Sequence, residues 1–266
     1  MRRSIAITNE HGSWVFLFSP LLVGIFAGGR WSMPLLYLTI GALAGFLVRH
    51  PIMIVVKIYS GRRSRRDLKA ALLWIAIYSL IGLTMVAGLI LRGYGYVLYL
   101  AIPGVLVFIW HLWLVSRRAE RRQAGVEIVA AGMLALSAPA AYWVGIGGLS
   151  SIGWILWLLL WLQSAASIVY AYLRLDQRQW KTMPDKKTRL RAGWRSILYT
   201  SFNLGFSVVL SIWGWISPWV FLPYLLQWME TLWGALNPAI GVKPTKIGLR
   251  QLGVSSLFTI LFILAW

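Results

Sequence analysis

The sequence predicts an all-α, polytopic membrane protein of about nine transmembrane helices. Three observations carry that expectation. The chain of 266 residues is 59% hydrophobic and only 12% charged, whereas a soluble domain carries about 25% charged residues. Its apolar residues fall in long continuous runs, without the two-residue alternation of a membrane barrel strand. Its 17 Trp and 11 Tyr suit the headgroup zone of a bilayer. A chain this apolar lacks the polar surface to fold in water, so lipid must be its solvent. Cysteine is absent, which removes disulfides, thiolate metal sites and a Cys nucleophile. The net charge of +19 does not indicate nucleic acid, because the basic residues lie in short loops between apolar runs and no soluble basic domain carries them.

A helix needs about 20 apolar residues to cross about 30 Å of hydrocarbon. The first segment, roughly 12–29, follows a polar start, MRRSIAITNEHGSW. No small-residue cleavage site follows a short apolar core, so this segment is expected to remain as a helix. The second, 33–51, closes on Arg49, His50 and Pro51 before a basic loop, GRRSRRDLK. The third and fourth, 69–91 and 94–116, lead to the basic stretch Arg117 to Arg122, and the fifth covers 124–145. A turn without basic residues precedes the sixth, 152–173. The largest loop, RLDQRQWKTMPDKKTRLRAGWR, then leads to the seventh, 195–216, followed by the eighth, 218–236. Lys243, Lys246 and Arg250 precede the ninth, 249–266. Pro20, Pro103, Pro139 and Pro223 lie inside segments; each removes one backbone donor and is expected to kink its helix. With a cytoplasmic N-terminus, all 26 Lys and Arg except Arg30 and Arg92 fall on the inner side. The positive-inside rule therefore supports both the orientation and the odd count. The expectation is one transmembrane domain over 1–266, in a bacterial inner (plasma) membrane.

An ionisable residue at the centre of a membrane helix costs about 2.5–3.5 kcal/mol, so its position carries information. Glu10 and His11 open the first segment, and Arg49 and His50 close the second, with Lys57 beyond. His111, Glu127, Asp176 and Glu230 lie near the inner ends of their segments, and Asn203 lies in the inner half of the seventh. On the sixth, Gln163, Ser167, Tyr170 and Arg174 follow a 4–3–4 spacing and share one face; on the eighth, so do Gln227 and Glu230. If the helices form a ring, these residues line an inward-opening polar cavity. His11, His50 and Glu230 are then the candidate acid/base or head-group contacts. Glu10, Arg49, Lys57, His111, Glu127, Gln163, Arg174, Asp176, Asn203 and Gln227 are the candidate binding residues. Plainer readings stand beside this one. Residues within a turn of a helix end snorkel to water, a polar stripe bonds one helix to another, and GRRSRR anchors orientation and meets anionic lipid. The three His lie on three segments without local ligand spacing, so no metal is assigned.

No Walker loop, dinucleotide fingerprint, HExxH or GxSxG is present. The stretch Asn9-Glu10-His11-Gly12-Ser13-Trp14 resembles the HGAW-type motif that opens YwiC-like membrane proteins, a bacterial family, with Ser13 in place of the usual Ala. Pro20, Gly24, Arg49-His50-Pro51, Glu127 after a basic loop, and Lys243-Pro244 with Lys246-Ile247-Gly248 continue the resemblance. It implies a multi-pass membrane protein and specifies no reaction. A second resemblance is architectural. Nine helices with enlarged inner loops after the second and sixth look like the UbiA-type intramembrane prenyltransferases. In that superfamily, Asp-rich motifs in those loops hold Mg²⁺ and through it a prenyl diphosphate. Here the corresponding places read RHPIMIVVK, with no acid, and YLRLDQRQW, with Asp176 alone. The twin-Asp magnesium device is missing, so the cofactor stays open, and Arg49, Lys57, Arg174 and Arg178 are left to meet an anionic head group directly. Two function classes follow. One is a UbiA-like transferase or binder of an isoprenoid or lipid with an anionic or quinone head. The other is a non-catalytic membrane protein: an assembly factor, a lipid or quinone carrier, or a transporter.

Overall fold

The computed structural model describes Ile5 and residues 11–117 and 123–266, with side chains in the first helix from Trp14 onward. These residues form α1 (His11–Gly28), α2 (Met33–Tyr59), α3 (Leu68–Leu91), α4 (Ala101–Ser116), α5 (Ala124–Ala135), α6 (Ser137–Ile146), α7 (Ser151–Gln177), α8 (Lys186–Ile212), α9 (Phe221–Leu236) and α10 (Pro244–Ala265). Short 3-10 turns, Arg65–Asp67 and Gly95–Leu100, lead into α3 and α4, and the described residues contain no strand. Each apolar segment read from the sequence coincides with helix. Six helical stretches are long and apolar enough to cross a membrane: Met33–Tyr59, Arg65–Leu91, Gly95–Ser116, Ala124–Ile146, Ser151–Gln177 and Pro244–Ala265. Trp14–Gly28 is a shorter apolar helix. In α8, Lys and Arg occupy much of the first three turns, and the 16 residues of α9 span only about 24 Å.

Several boundaries differ from the sequence expectation, two of them most. The second segment runs on through Pro51 to Tyr59, so Lys57 sits in a helical last turn rather than in a loop. The seventh begins at Lys186, and nine residues of the expected basic loop are wound into α8. The prolines also act differently. Pro20 and Pro51 lie inside continuous helices; Pro103 and Pro223 fall in the first turns of α4 and α9, where a missing N–H costs little, and Pro139 falls in the first turn of α6, just after a break.

Only at Pro139 does the chain break, at Leu136 between α5 and α6. Pro139 has no N–H for the Ala135 carbonyl. The Leu136 N–H turns back to Met133 O (3.2 Å), and the Gly132 carbonyl accepts instead from the Trp157 indole (2.9 Å). Ser137 donates to Leu134 O at 2.8 Å. Side chains thus satisfy a backbone interruption that lipid alone would penalise.

α1 and α7 form the centre. α1 touches α5, α6, α7 and α10, while α7 touches α5, α6, α8, α9 and α10. On one side α2 carries α3 on its outer face and meets α4 and α6; on the other, α8, α9 and α10 pack in sequence. The α1–α6 crossing is the tightest. A Cβ at Gly24 would lie 2.3 Å from the Ala138 carbonyl oxygen, and one at Gly28 would lie 3.1 Å from Gly145 Cα. Gly24 and Gly28 are four residues apart, the small-residue spacing that lets membrane helices approach backbone to backbone. The outside is oily, with Leu80, Leu83 and Leu91 of α3 more than two-thirds exposed. The α7–α8–α9 interior holds fully buried Ser164, Gln177, Ser196, Thr200, Asn203, Ser207 and Thr231. This inversion is the signature of a chain whose solvent is hydrocarbon. Trp31, Trp213, Trp215 and Trp219 are exposed at the end of the bundle opposite the basic loops, where an aromatic belt belongs.

Candidate functional site

Two chemically distinct regions receive the polar residues singled out above. The first is a cavity of about 560 Å³ enclosed by α1, α2, α4, α5 and α6 and touched by Val86 and Leu89 of α3. Its wall is almost wholly apolar, with Phe46, Phe108, Met133 and the glycines Gly41, Gly45 and Gly104 among the lining residues. Gly45 and Gly104 have open space where a Cβ would stand, so the hollow exists partly because these residues lack side chains. At one end stand Arg49 and His111. Arg49 lies over the Phe46 ring at 5.1 Å, a cation–π contact that holds the guanidinium along α2. Val105 is 54% exposed and Gly45 is exposed too, so the cavity opens sideways toward surrounding lipid.

The second region is a hydrogen-bonded seam joining α7 to α8, α9 and α10. Gln227 donates to the Gln163 carbonyl and to Ser167, both at 3.0 Å, and Gln163 donates to Ser167 at 3.1 Å. Asn203 donates to Leu162 O at 2.8 Å. The Tyr170 hydroxyl donates to the Glu230 carboxylate at 2.9 Å. Arg250 grips the same carboxylate through two bonds of 2.7 Å, the bidentate fork that makes such pairs strong. Arg174 is buried and donates to the carbonyls of Gly234 and Asn237, both at 2.7 Å. These are orphan acceptors at the C-terminus of α9, where a cation also meets the negative end of the helix dipole. The Trp233 ring lies between two cations, with Arg250 at 3.8 Å and Arg174 at 5.5 Å from its centroid.

The predicted residues therefore do not share one chamber. Arg49 and His111 face the apolar cavity. Gln163, Arg174, Asn203, Gln227 and Glu230 belong to the seam, where Arg174, Asn203 and Gln227 donate to carbonyls of neighbouring helices, Glu230 accepts from Tyr170 and Arg250, and the Gln163 side chain bonds within α7. Arg178 likewise donates to Val242 O (3.2 Å), tying the loop after α7 to the α10 entry. Glu127 is exposed and accepts from Tyr172 at 2.8 Å, pinning α5 to α7. Asp176 is exposed; His50 and Lys57 are half-buried on the inner stretch of α2, outside the cavity lining. Glu10 and the side chain of His11 lie outside the described residues. Among the described residues, no group of three or more His, Cys, Asp and Glu stands close enough to hold a metal ion. The cavity wall itself was not singled out from sequence, because apolar residues on membrane helices look alike. Its one legible trace is Gly41 and Gly45, four apart on α2, opposite Gly104 on α4.

The described residues are mostly helical, oily outside and polar in the α7–α8–α9 interior, and the chain is a membrane-type protein with an apolar hollow that ends in an arginine and a histidine. The description of the YwiC-like protein family matches residues 7–142, half of the chain, and the chain belongs to that family. The match covers α1 through most of α6, which includes every helix that builds the cavity. No curated protein and no solved structure matches the chain.

Proposed function

We propose that the protein binds an amphiphile in the α1–α2–α4–α5–α6 cavity, its tail against the apolar wall and its anionic head against Arg49 and His111. The observation that carries this reading is the pairing of an apolar hollow of about 560 Å³, within the roughly 300–1,000 Å³ usual for ligand sites, with a cation at one end. The sideways opening at Gly45 and Val105 gives a lipid a route from the bilayer. No chemical step is assigned: the paired aspartates of a UbiA-type transferase are missing, with Asp176 alone at the second place, and Glu230 and Glu127 are engaged by Tyr170 with Arg250 and by Tyr172. The reading thus favours a lipid or isoprenoid binder or carrier over a prenyl-transferring enzyme.

In this proposal α1, α8 and α9 also cross, making nine spans in a bacterial inner membrane, with the N-terminus and the Arg49–His111 end facing the cytoplasm. The clustering of all Lys and Arg but Arg30 and Arg92 at one end of the alternating helices supports it. The basic loop around Arg62 to Lys69 then meets anionic headgroups.

The test is mass spectrometry of lipids that co-purify with the protein in mild detergent. A homogeneous anionic amphiphile is expected with the wild-type chain. Gly45→Leu adds bulk where a Cβ has open space, and Arg49→Gln removes the charge. Each is expected to lower the co-purified amount about tenfold, the yield of losing roughly 1.4 kcal/mol. Unchanged lipid content in both variants would refute the proposal.

A further inference from the structure

A second hollow, of about 820 Å³, lies toward the opposite end of the bundle from Arg49, between the start of α4, α6 and the start of α7. Tyr96, Tyr99, Trp143, Trp154 and Trp157 give it an aromatic wall. The two hollows share three lining residues, Leu100, Met133 and Leu136. They therefore abut at the break between α5 and α6, and Leu100 and Leu136 are buried there rather than facing lipid.

Length decides what two adjoining hollows can hold together. The first hollow is lined on α2 from Ile52 to Leu38. Those fourteen residues rise roughly 21 Å at 1.5 Å each. From the head-group end at Arg49, a tail reaching Leu38 has descended about 16 Å, past the middle of a hydrocarbon core about 30 Å thick. The aromatic chamber adjoins that far end from the side, where Val97, Leu98 and Ala101 line the first hollow and Tyr96, Tyr99 and Pro103 line the chamber. An acyl chain of an ordinary phospholipid ends near the midplane and leaves the chamber unused. A single, much longer chain enters both hollows.

Resting on the binding reading above, we infer that the ligand is a long-chain polyisoprenyl phosphate whose tail passes Leu100, Met133 and Leu136 into the aromatic chamber.

The test measures binding of farnesyl phosphate, undecaprenyl phosphate and dioleoyl phosphatidic acid to the full-length protein in nanodiscs. The wild-type chain is expected to bind undecaprenyl phosphate at least about tenfold more tightly than either other probe, since burying two additional methylene-sized groups already suffices for that factor. Two chamber variants, Ser151→Trp and Leu149→Trp, place bulk at exposed lining positions near the start of α7. They are expected to abolish the long-chain advantage while leaving farnesyl phosphate binding within about twofold, and the second stands in if the first does not fold. Equal affinity for the two isoprenyl phosphates, or phosphatidic acid as tight as the long chain, would overturn the chain-length inference and leave the binding proposal intact. Absence of binding by all three probes, with Gly45→Leu indistinguishable from wild type, would overturn both.

Discussion

Gly234 has no room for a methyl group: a Cβ there would lie 2.0 Å from the Tyr170 hydroxyl, which is itself held by Glu230. Gly234→Ala is expected to destabilise the protein by about 1–3 kcal/mol, read as a lower melting temperature in detergent. In a Tyr170→Ala background the same change should cost almost nothing, because the two positions share one contact. Arg174 caps the end of α9 through the Gly234 and Asn237 carbonyls. Arg174→Gln is expected to loosen the end of α9 and lower the melting temperature, while lipid binding to the cavity stays as in wild type. The stripe of Gln163, Ser167, Tyr170 and Arg174 was fully legible as a single helix face. What it faces was not, because the same 4–3–4 spacing serves a substrate groove and a helix–helix seam equally. Only the partner carbonyls, on Gly234, Asn237 and Gln163, decide, and they belong to the fold rather than to any local pattern.

The same ambiguity appears in the glycine pairs of whole helices. Gly24 with Gly28, and Gly41 with Gly45, have identical spacing. The first pair lets α1 touch the α6 backbone; the second leaves a hollow in which Gly41 faces Met85 at 3.4 Å and Gly45 faces nothing. Gly24→Leu should therefore abolish folded protein, scored as the monodisperse peak in size-exclusion chromatography, whereas Gly45→Leu should be recovered near wild-type yield. Helix positions were legible because hydrocarbon demands long apolar runs. Helix ends were less so: α2 runs on past Arg49-His50-Pro51 through the mostly apolar residues 52–59, and α8 begins in charged sequence, since a helix needs no apolar residues outside the bilayer. The break at Leu136 was signalled by Pro139, but Pro103 and Pro223 carried the same signal and mark helix starts instead.

At the scale of the molecule, the natural absence of cysteine makes topology directly measurable. Single-cysteine variants at Ser64, Gly148, Met183 and Ser217 can be labelled with a membrane-impermeant maleimide in intact cells and in inverted vesicles. Nine spans require Gly148 and Ser217 to react from outside and Ser64 and Met183 from inside. If α8 and α9 instead lie on the inner surface, Ser217 will react from the same side as Met183. Charge asymmetry made the nine-span reading available from sequence alone; the short α9 and the basic start of α8 are what make this experiment decisive.

The seam along α7 has a mechanical consequence. Two indoles, Trp157 and Trp161, fasten α7 to carbonyls of α5, and Asn203, Gln227 and Tyr170 fasten it to α8 and α9. Each of these bonds is specific to one register, so this half of the molecule resists sliding like a pinned truss. Within the α2–α3 wall of the cavity the two helices meet through contacts such as the Tyr37 ring against Gly88, and such contacts give way gradually. Strain imposed by a guest in the cavity, or by a thinner bilayer, will concentrate in that wall, which acts as a compliant panel hung on a rigid frame.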